Sequence, residues 1–239
     1  MTEGLEGRRI LITGAAGGLG PTVVAAAAAA GASLVLLDVA SDRLDPLAAT
    51  FDKAVDSTHV VDLLDPAAVA EFASSLAISG PVDAVWHLVG GWRGGKPIAD
   101  APLEDWDWLH GLLVRTTVHM ARSFASQLTD SSHGRFIIIS AQQAQAPTST
   151  NAAYAASKAA AEATVLALAD EFVGSAATAN VIVVPAIVTP GMREAKPDKT
   201  WGSFVPAEQI ADSLVYLSSD AATKMNGQRL RLYAGSSAS

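Results

Sequence analysis

The stretch RRILITGAAGGLG at Arg8–Gly20 decides the fold. Its first half is a short apolar run typical of a buried strand, and the glycines that follow allow a tight turn. An alanine-rich, helix-type segment comes next and stops at Gly31, as helices often do. A glycine-rich turn from a strand into a helix presents free N–H groups and the positive end of the helix dipole. The stretch therefore predicts a βα unit that can bind a pyrophosphate.

The glycine spacing in this loop is G-x-x-x-G-x-G, formed by Gly14, Gly18 and Gly20. It differs from the G-x-G-x-x-G of the general dinucleotide fingerprint. On its own, the spacing is compatible with a glycine-rich turn that binds no ligand. Its position on the first βα turn favours a dinucleotide. We expect the three glycines, and Leu19 between the last two, to contact the cofactor.

Short apolar runs alternate with helix-type stretches along the chain. The strand-type runs are RRILITG, SLVLLD, THVVD, VDAVWHLVG, GRFIIIS, ANVIVVP and QRLRLY. They are nearly all apolar, as expected when helices cover both faces of a sheet. This alternation predicts an α/β fold with a parallel, doubly wound sheet. No internal repeat or linker divides the sequence, so we predict a single domain over residues 1–239.

The composition excludes several classes of function. The chain has 239 residues, of which 50% are hydrophobic and 17% charged, so a large core is expected. The net charge of −8 repels phosphate backbones and argues against a nucleic-acid partner. There is no cysteine, which rules out disulfides and thiolate metal sites. The five histidines show no metal-binding spacing, so we predict no metal.

The sequence also gives no reason to expect a membrane partner. The N-terminal MTEGLEGRR has no apolar core like that of a signal peptide. The longest apolar candidate, VVAAAAAAGASLVLL, is interrupted by Gly31 and is short for a membrane span. We therefore expect a cytoplasmic protein.

Two aspartates end predicted strands. Asp38 ends the second strand, where a carboxylate can accept both hydroxyls of an adenosine ribose and repels a 2′-phosphate. It favours NAD(H), although an N-cap or turn role is the alternative. Arg43, five residues further on, keeps NADP(H) open. Asp62 ends the third strand and could bond the adenine amine, or be a simple strand-end residue. We expect its neighbour Leu63 to line the same part of the site.

Tyr154 and Lys158 are one helical turn apart and lie on the same helix face. A free phenol has a pKa near 10, and a nearby ammonium group lowers that pKa by favouring the phenolate. Tyr154 could then pass a proton while a hydride moves to or from a nicotinamide. The alternative is an exposed tyrosine and lysine on an alanine-rich helix. Beside the glycine loop, the pair predicts the catalytic residues.

Taken together, these motifs resemble the short-chain dehydrogenase/reductase family over essentially the whole chain. The matching segments are TGAAGGLG at 13–20, Asp38, VVDL around Asp62, YAASK at 154–158, VPAIVTPGM at 184–192 and NGQRLRL at 226–232. The resemblance implies a Rossmann-like domain of seven parallel strands, a nicotinamide cofactor, a small-molecule substrate and a homodimer or homotetramer. It further implies that Lys158 bonds the nicotinamide ribose, that Thr189 bonds the carboxamide and that Gly90 contacts the cofactor.

The sequence departs from the family pattern at two catalytic positions. The family places a serine thirteen residues before the tyrosine, and Ala141 stands there. Its neighbour Ser140 would point to the opposite face of the strand, and could replace it only if the strand end is bulged or turned. The family's asparagine is also missing, because the segment 103–128 contains none. Leu113 is the best match for that position. The usual N-N-A-G is replaced by HLVG at His87–Gly90.

A second resemblance bears on the substrate. GGWRGG at Gly90–Gly95 is similar to a motif of dihydropteridine reductases, which also have alanine at the serine position and prefer NADH. It predicts a quinonoid dihydropterin or a similar planar substrate. Trp92 would stack on the substrate from a mobile loop, or would pack as a core or lid residue. Ala141 would line the substrate site, and Trp201 would close over it from the polar segment 192–204.

Two other functions stay open at this point. The chain could be a family member that acts on an ordinary carbonyl or alcohol. It could also be a non-catalytic sensor or scaffold that binds NAD(H), since the serine and the asparagine are absent.

Overall fold

A computed structural model describes residues 4–233, and these form one α/β unit. The ends of the predicted domain, residues 1–3 and 234–239, lie outside the described residues. The main sheet has seven parallel strands in the order β3-β2-β1-β4-β5-β6-β9. Its strands are β1 (Arg9–Thr13), β2 (Ser33–Asp38), β3 (Val55–Val60), β4 (Ala84–His87), β5 (Arg135–Ala141), β6 (Thr178–Val184) and β9 (Arg229–Arg231). A small second sheet pairs β7 (Ile187–Val188) with β8 (Val205–Pro206).

Helices cover both faces of the main sheet. They are α1 (Gly20–Ala29), α2 (Ser41–Thr50), α3 (Pro66–Ser79), α4 (Leu103–Leu109), α5 (Thr116–Asp130), α6 (Ala152–Glu171), α7 (Pro190–Ala195) and α8 (Ala207–Ser218). On one face, Ile10 and Ile12 pack in a core with α1 and α8. On the other face, Leu11 and Val35 pack in a core with α3, α5 and α6. The predicted doubly wound, Rossmann-like sheet is confirmed.

The strand order determines where in the fold the candidate site lies. The chain builds the sheet outwards from β1 through β2 to β3, and then returns to start the other half at β4. The βα connections after β1 and β4 therefore leave in opposite directions and open a crevice at the carboxyl ends of these strands. Ligands of doubly wound folds bind in such a crevice.

The structure differs from the sequence-based expectation between residues 103 and 130. The helix-type segment 103–128 reads as one long helix in the sequence, but a π-helical segment at His110–Arg115 interrupts it and joins α4 to α5. Hydrophobic periodicity in the sequence does not reveal this π-helical turn, which is wider than an α-helical one. Such segments often mark functional sites, and this one contains Leu113, the position of the missing asparagine.

Four elements, α2, α7, β7 and β8, were not expected from the sequence. Helix α2 is weakly apolar and contains Pro46, so its composition resembles a loop. Strands β7 and β8 are two residues each and pair across a long separation in sequence. Their pairing fixes both ends of the segment 189–204, which contains α7. None of the described helices is long and apolar enough to span a membrane.

Candidate active site

The three glycines of the loop after β1 serve different purposes. Gly14 has a φ of +70°, and a Cβ there would lie 3.2 Å from the backbone nitrogen of Val89. A Cβ on Gly18 would meet nothing within 4 Å, because this residue faces an open cavity. At Gly20 a Cβ would lie 1.8 Å from the carbonyl oxygen of Ala15. Gly20 therefore permits the tight packing of α1 on the loop, and it does not line the cavity.

The carboxylate of Asp38 fastens this loop to the end of β2. One oxygen accepts a hydrogen bond from the backbone nitrogen of Ala16 at 2.9 Å. The other accepts from the nitrogens of Val39 and Ala40 at 2.8 and 3.2 Å. A carboxylate has about four acceptor positions, so Asp38 keeps capacity for a ribose hydroxyl. Asp38 also lines the cavity, as does Arg43.

The crevice holds a cavity of about 1300 Å³. Single drug-sized ligands occupy pockets of about 300–1,000 Å³, so this cavity has room for a dinucleotide beside a small substrate. The predicted residues that line it are Gly14, Gly18, Leu19, Asp38, Asp62, Leu63, Gly90, Trp92, Ala141, Tyr154 and Lys158. The open space at Gly18 and the acceptor at Asp38 fit the phosphate and ribose ends of a nicotinamide dinucleotide.

The first turns of α6 carry Tyr154 and Lys158 into this cavity. The Lys158 ammonium donates a hydrogen bond to the carbonyl oxygen of Ile139 at 2.7 Å. Burial lowers the pKa of Lys158 to about 8, and the negative charge of Glu162 opposes that shift. Burial raises the pKa of Tyr154 to about 12. The expected lowering of the phenol pKa is wrong here, because desolvation of the phenolate is the cause that sets the shift.

Ser140 does not take the place of the missing serine. Strand β5 pairs regularly with β6 through Ala141 and has no bulge there, and Ser140 lines the cavity beside Ala141. The Ser140 hydroxyl donates a 2.6 Å hydrogen bond to Glu162. Glu162 is buried and also accepts from Arg229 and Gln145. Ala141 and Ser140 both line the cavity here, but the serine hydroxyl is already bonded to Glu162.

His87, at the start of HLVG, is a buried link between three elements. Thr116 donates its hydroxyl proton to the carbonyl oxygen of Leu112 at 2.6 Å, so it must accept from His87 Nε2 at 3.2 Å. Nδ1 then accepts from Thr13 at 2.8 Å. Burial and the positive charge of Lys158 lower the pKa of His87 to about 3. A neutral His87 thus ties β1 and β4 to the start of α5.

The π-helical segment places no polar side chain at the asparagine position. Leu113 is buried in a small apolar cluster with Leu109 and Ala153. Lys158 bonds directly to a backbone carbonyl of β5, so its orientation does not require an asparagine.

Packing explains why Gly91 and Gly94 of GGWRGG carry no side chain. A Cβ on Gly91 would lie 2.6 Å from the indole of Trp108, and one on Gly94 would lie 3.0 Å from Asn151. The Gly95 N–H donates to the carbonyl oxygen of Thr150 at 2.8 Å. The loop is therefore pinned between α4 and the start of α6, although its glycines suggested a mobile loop.

Trp92 and Arg93, the two large side chains of this loop, both have partners. The Trp92 indole N–H donates to Asn151 at 3.2 Å, while 59% of the residue stays exposed beside the cavity. Arg93 lies over the Trp108 ring at 4.1 Å and pairs with Asp105 at 3.3 Å. Trp92 is thus held at the cavity mouth with an exposed face.

Besides Gly20, two other predicted residues do not line the cavity. Thr189 caps α7, because its hydroxyl oxygen accepts from the nitrogen of Met192 at 3.3 Å. Trp201 packs edge-on against Phe204 with ring centroids 5.0 Å apart. Phe204 and Met192 are the residues of this segment that line the cavity. Trp201 therefore supports the cavity wall from behind.

Several lining residues were not predicted as site residues. They are Gln143, Asn151, Thr116, Ile187, Met192 and Phe204. Gln143 follows the end of β5 by two residues, and Asn151 precedes α6, so strand-end and helix-start positions were the available signal. The other four come from distant parts of the chain. Within residues 4–233, no group of three or more histidine, aspartate or glutamate side chains could hold a metal ion.

A crevice in which a glycine-rich βα loop faces a half-buried tyrosine and a buried lysine is typical of a nicotinamide-dependent oxidoreductase of the Rossmann type. The family model described as enoyl-(acyl carrier protein) reductase matches residues 14–237. The chain belongs to the short-chain dehydrogenase/reductase family, whose members are NAD(P)(H)-dependent and act on small molecules.

Relatives of known activity cover almost the whole chain. D-threitol dehydrogenase of Mycolicibacterium smegmatis is 27% identical over 97% of this chain and 93% of that protein. 1-Deoxy-11-beta-hydroxypentalenate dehydrogenase of Streptomyces avermitilis is 30% identical over 94% of this chain and 89% of that protein. The structure of L-sorbose reductase from Gluconobacter frateurii, solved with NADPH and L-sorbose, superimposes with a TM-score of 0.86 at 24% identity and covers 100% of both chains. The last likeness shows the shared fold.

The hydrogen bond of Ser140 predicts that this serine stabilises the protein without taking part in the reaction. Ser140→Ala should lower the free energy of unfolding by about 1–3 kcal/mol, because it removes a donor from buried Glu162. The value of kcat/KM should stay close to wild type. Denaturant unfolding and steady-state kinetics test both points. Ala141→Ser is the matched control, since it adds a hydroxyl on the cavity side. Loss of activity without loss of stability in Ser140→Ala would contradict this assignment.

The lowered pKa of Lys158 predicts an alkaline limit on reduction. As the pH rises through about 8, Lys158 loses the charge that stabilises a developing phenolate, so kcat/KM should fall. Tyr154, with a pKa of about 12, stays protonated over this range. The check is a profile of kcat/KM from about pH 6 to about pH 10. In Lys158→Arg, whose charge persists, residual activity should lack this decline; an unchanged decline would refute the role.

Proposed function

We propose that this protein is an NAD(H)-preferring reductase of small, electron-poor planar compounds, with Tyr154 as proton donor and Lys158 as its electrostatic partner. The observation that carries the proposal is the protonated phenol in the dinucleotide-sized cavity, beside a wall that has alanine at the serine position. A quinonoid dihydropterin belongs to the proposed substrate class. Such rings accept a hydride readily, so their reduction depends less on a serine hydroxyl that binds a carbonyl oxygen.

The residues divide the chemistry between them. When bound, the nicotinamide supplies the hydride. Tyr154 donates its proton to the substrate atom that becomes negative, and Lys158 stabilises the phenolate left behind. The carbonyl oxygen of Ile139 orients the ammonium group. Trp92 offers a flat face at the mouth of the site, and its bond to Asn151 keeps that face in place.

The preference for NAD(H) rests on Asp38. Its carboxylate is buried at the end of β2 and lines the cavity, where it would repel a 2′-phosphate. Arg43 lines the same region and is the one feature here that favours NADP(H). We favour NAD(H) because the carboxylate is fixed by three backbone donors, whereas an arginine side chain near the surface can move away.

An alcohol or ketone of ordinary reactivity is the second candidate substrate. The names of two relatives, a threitol dehydrogenase and a hydroxypentalenate dehydrogenase, favour it. The retained Tyr154 and Lys158 argue against a non-catalytic sensor, because a protein that only binds the cofactor does not need a proton donor. The homodimer or homotetramer and the cytoplasmic location stay predictions.

Replacement of the phenol tests the reaction. Tyr154→Phe should reduce kcat by about 10²-fold or more, because general acid catalysis contributes about 10²–10⁴-fold. Binding of NADH, followed by its fluorescence, should persist. The assay is NADH oxidation with quinonoid dihydropterins, quinones, isatin and simple ketones. A fully active phenylalanine variant would remove Tyr154 from the mechanism. No turnover of any compound by wild type that still binds NADH would favour the sensor.

Replacement of Asp38 tests the cofactor choice. Asp38→Ala should weaken NADH binding and raise the NADPH-to-NADH ratio of kcat/KM by about tenfold or more, since like-charge contacts cost several kcal/mol. Asp38→Asn is the matched control, because it keeps an acceptor for the Ala16 N–H but loses the charge. It should relax the preference with less damage to the loop. An unchanged ratio in both variants would refute the role of Asp38.

A further inference from the structure

Gln143 has an unpaired group at the edge of the cavity. It lies in the short 3₁₀ turn at Gln142–Ala144 that follows β5, two residues after Ala141, and it lines the cavity. Its side-chain oxygen is buried and has no hydrogen-bond partner. Leaving a buried acceptor unpaired costs about 1–3 kcal/mol. Within the described part of the chain, the other buried side-chain atoms in this condition belong to Arg135, which is remote from the cavity lining.

Neighbouring polar side chains already have partners. Ser140 donates to Glu162. The oxygen of Asn151 accepts from Trp92, and its nitrogen donates to Thr148. These groups would have to break a bond before they could contact a ligand. The amide oxygen of Gln143 has no bond to break, and it would gain one by turning from its buried position into the cavity to meet a ligand donor.

The chemistry of the amide defines what it would recognise. A carbonyl oxygen accepts from an N–H or O–H group, while the adjacent NH₂ donates to an oxygen. A serine hydroxyl at position 141 would mainly hold the oxygen of a carbonyl substrate. An amide two residues further on can pair with a donor and an acceptor on the same ligand edge, as in a lactam or a hydroxy ketone.

We propose that Gln143 is a specificity-determining residue, which turns its amide into the cavity and accepts a hydrogen bond from an N–H or O–H donor close to the group that is reduced. The preferred substrates would then carry such a donor, and analogues with a methyl group in its place would be poor substrates. This inference rests on the proposed reductase function and names the substrate class of the same site.

Isatin and N-methylisatin form a matched pair for the test. Each has a ketone that is reduced to an alcohol, as hydride from NADH adds to the carbon and a proton from Tyr154 adds to the oxygen. They differ in the lactam N–H, which only isatin has. For wild type, kcat/KM should be about five- to tenfold higher for isatin, mainly through KM, which is the scale of one hydrogen bond.

Two variants test whether the Gln143 amide causes the preference for isatin. Gln143→Leu should bring the isatin-to-N-methylisatin ratio close to one, because the acceptor is gone. Gln143→Glu keeps an acceptor and should retain the preference. Circular dichroism of each variant establishes that it is folded. Equal rates for both compounds with wild type would overturn the inference. So would a preference that Gln143→Leu leaves unchanged, since it would come from the bulk of the methyl group.

A binding measurement separates this inference from the proposed reaction. The Tyr154→Phe variant with NADH bound can be titrated with each compound, following the fluorescence of Trp92 and the other tryptophans. A tighter Kd for isatin that disappears when Gln143→Leu is added supports the inference even if wild type oxidises no NADH. Equal binding of the two compounds overturns it even if wild type reduces them both.

Discussion

Parallel pairing of the strands is the constraint on which the site depends. In a parallel sheet all carboxyl ends meet at one edge, so the loops after β1, β2, β4 and β5 converge although they are far apart in sequence. The reversal of direction between β1 and β4 then opens the crevice. The Asp38 carboxylate and the neutral His87 hold neighbouring strands and loops in register at this edge. The glycine loop and Tyr154 therefore face the same space.

Burial determines the protonation of the site. Tyr154, Lys158 and Glu162 follow one another at intervals of four residues along α6, which places them on one side of the helix. Desolvation raises the pKa of Tyr154, so the phenol stays protonated. It lowers the pKa of Lys158, so the ammonium group loses its proton more readily. The charge of Glu162 counteracts the effect on the lysine. A protonated phenol beside a lysine that keeps its charge below about pH 8 suits proton donation during reduction.

The departures from the family pattern have different physical explanations. Ala141 removes a hydroxyl from the cavity wall, while the adjacent Ser140 is committed to Glu162. Gly91 and Gly94 are needed because Trp108 and Asn151 approach too closely for a side chain. GGWRGG is thus accounted for by packing, and it does not by itself identify a pterin substrate. What distinguishes this cavity chemically is the loss of a hydroxyl at one position and the free amide of Gln143 nearby.

The sequence by itself determined the sheet, the phosphate loop, Asp38 and the pairing of Tyr154 with Lys158. These features depend on periodicity and on short-range spacing, which are local properties of the chain. Only the tertiary structure decided that the Ser140 hydroxyl is bonded to Glu162, that Tyr154 has a raised pKa and that Thr189 and Trp201 lie outside the cavity lining. It also brought Gln143, Met192 and Phe204 into that lining. Burial, and contacts between residues distant in sequence, set these outcomes, and neither is encoded in a local pattern.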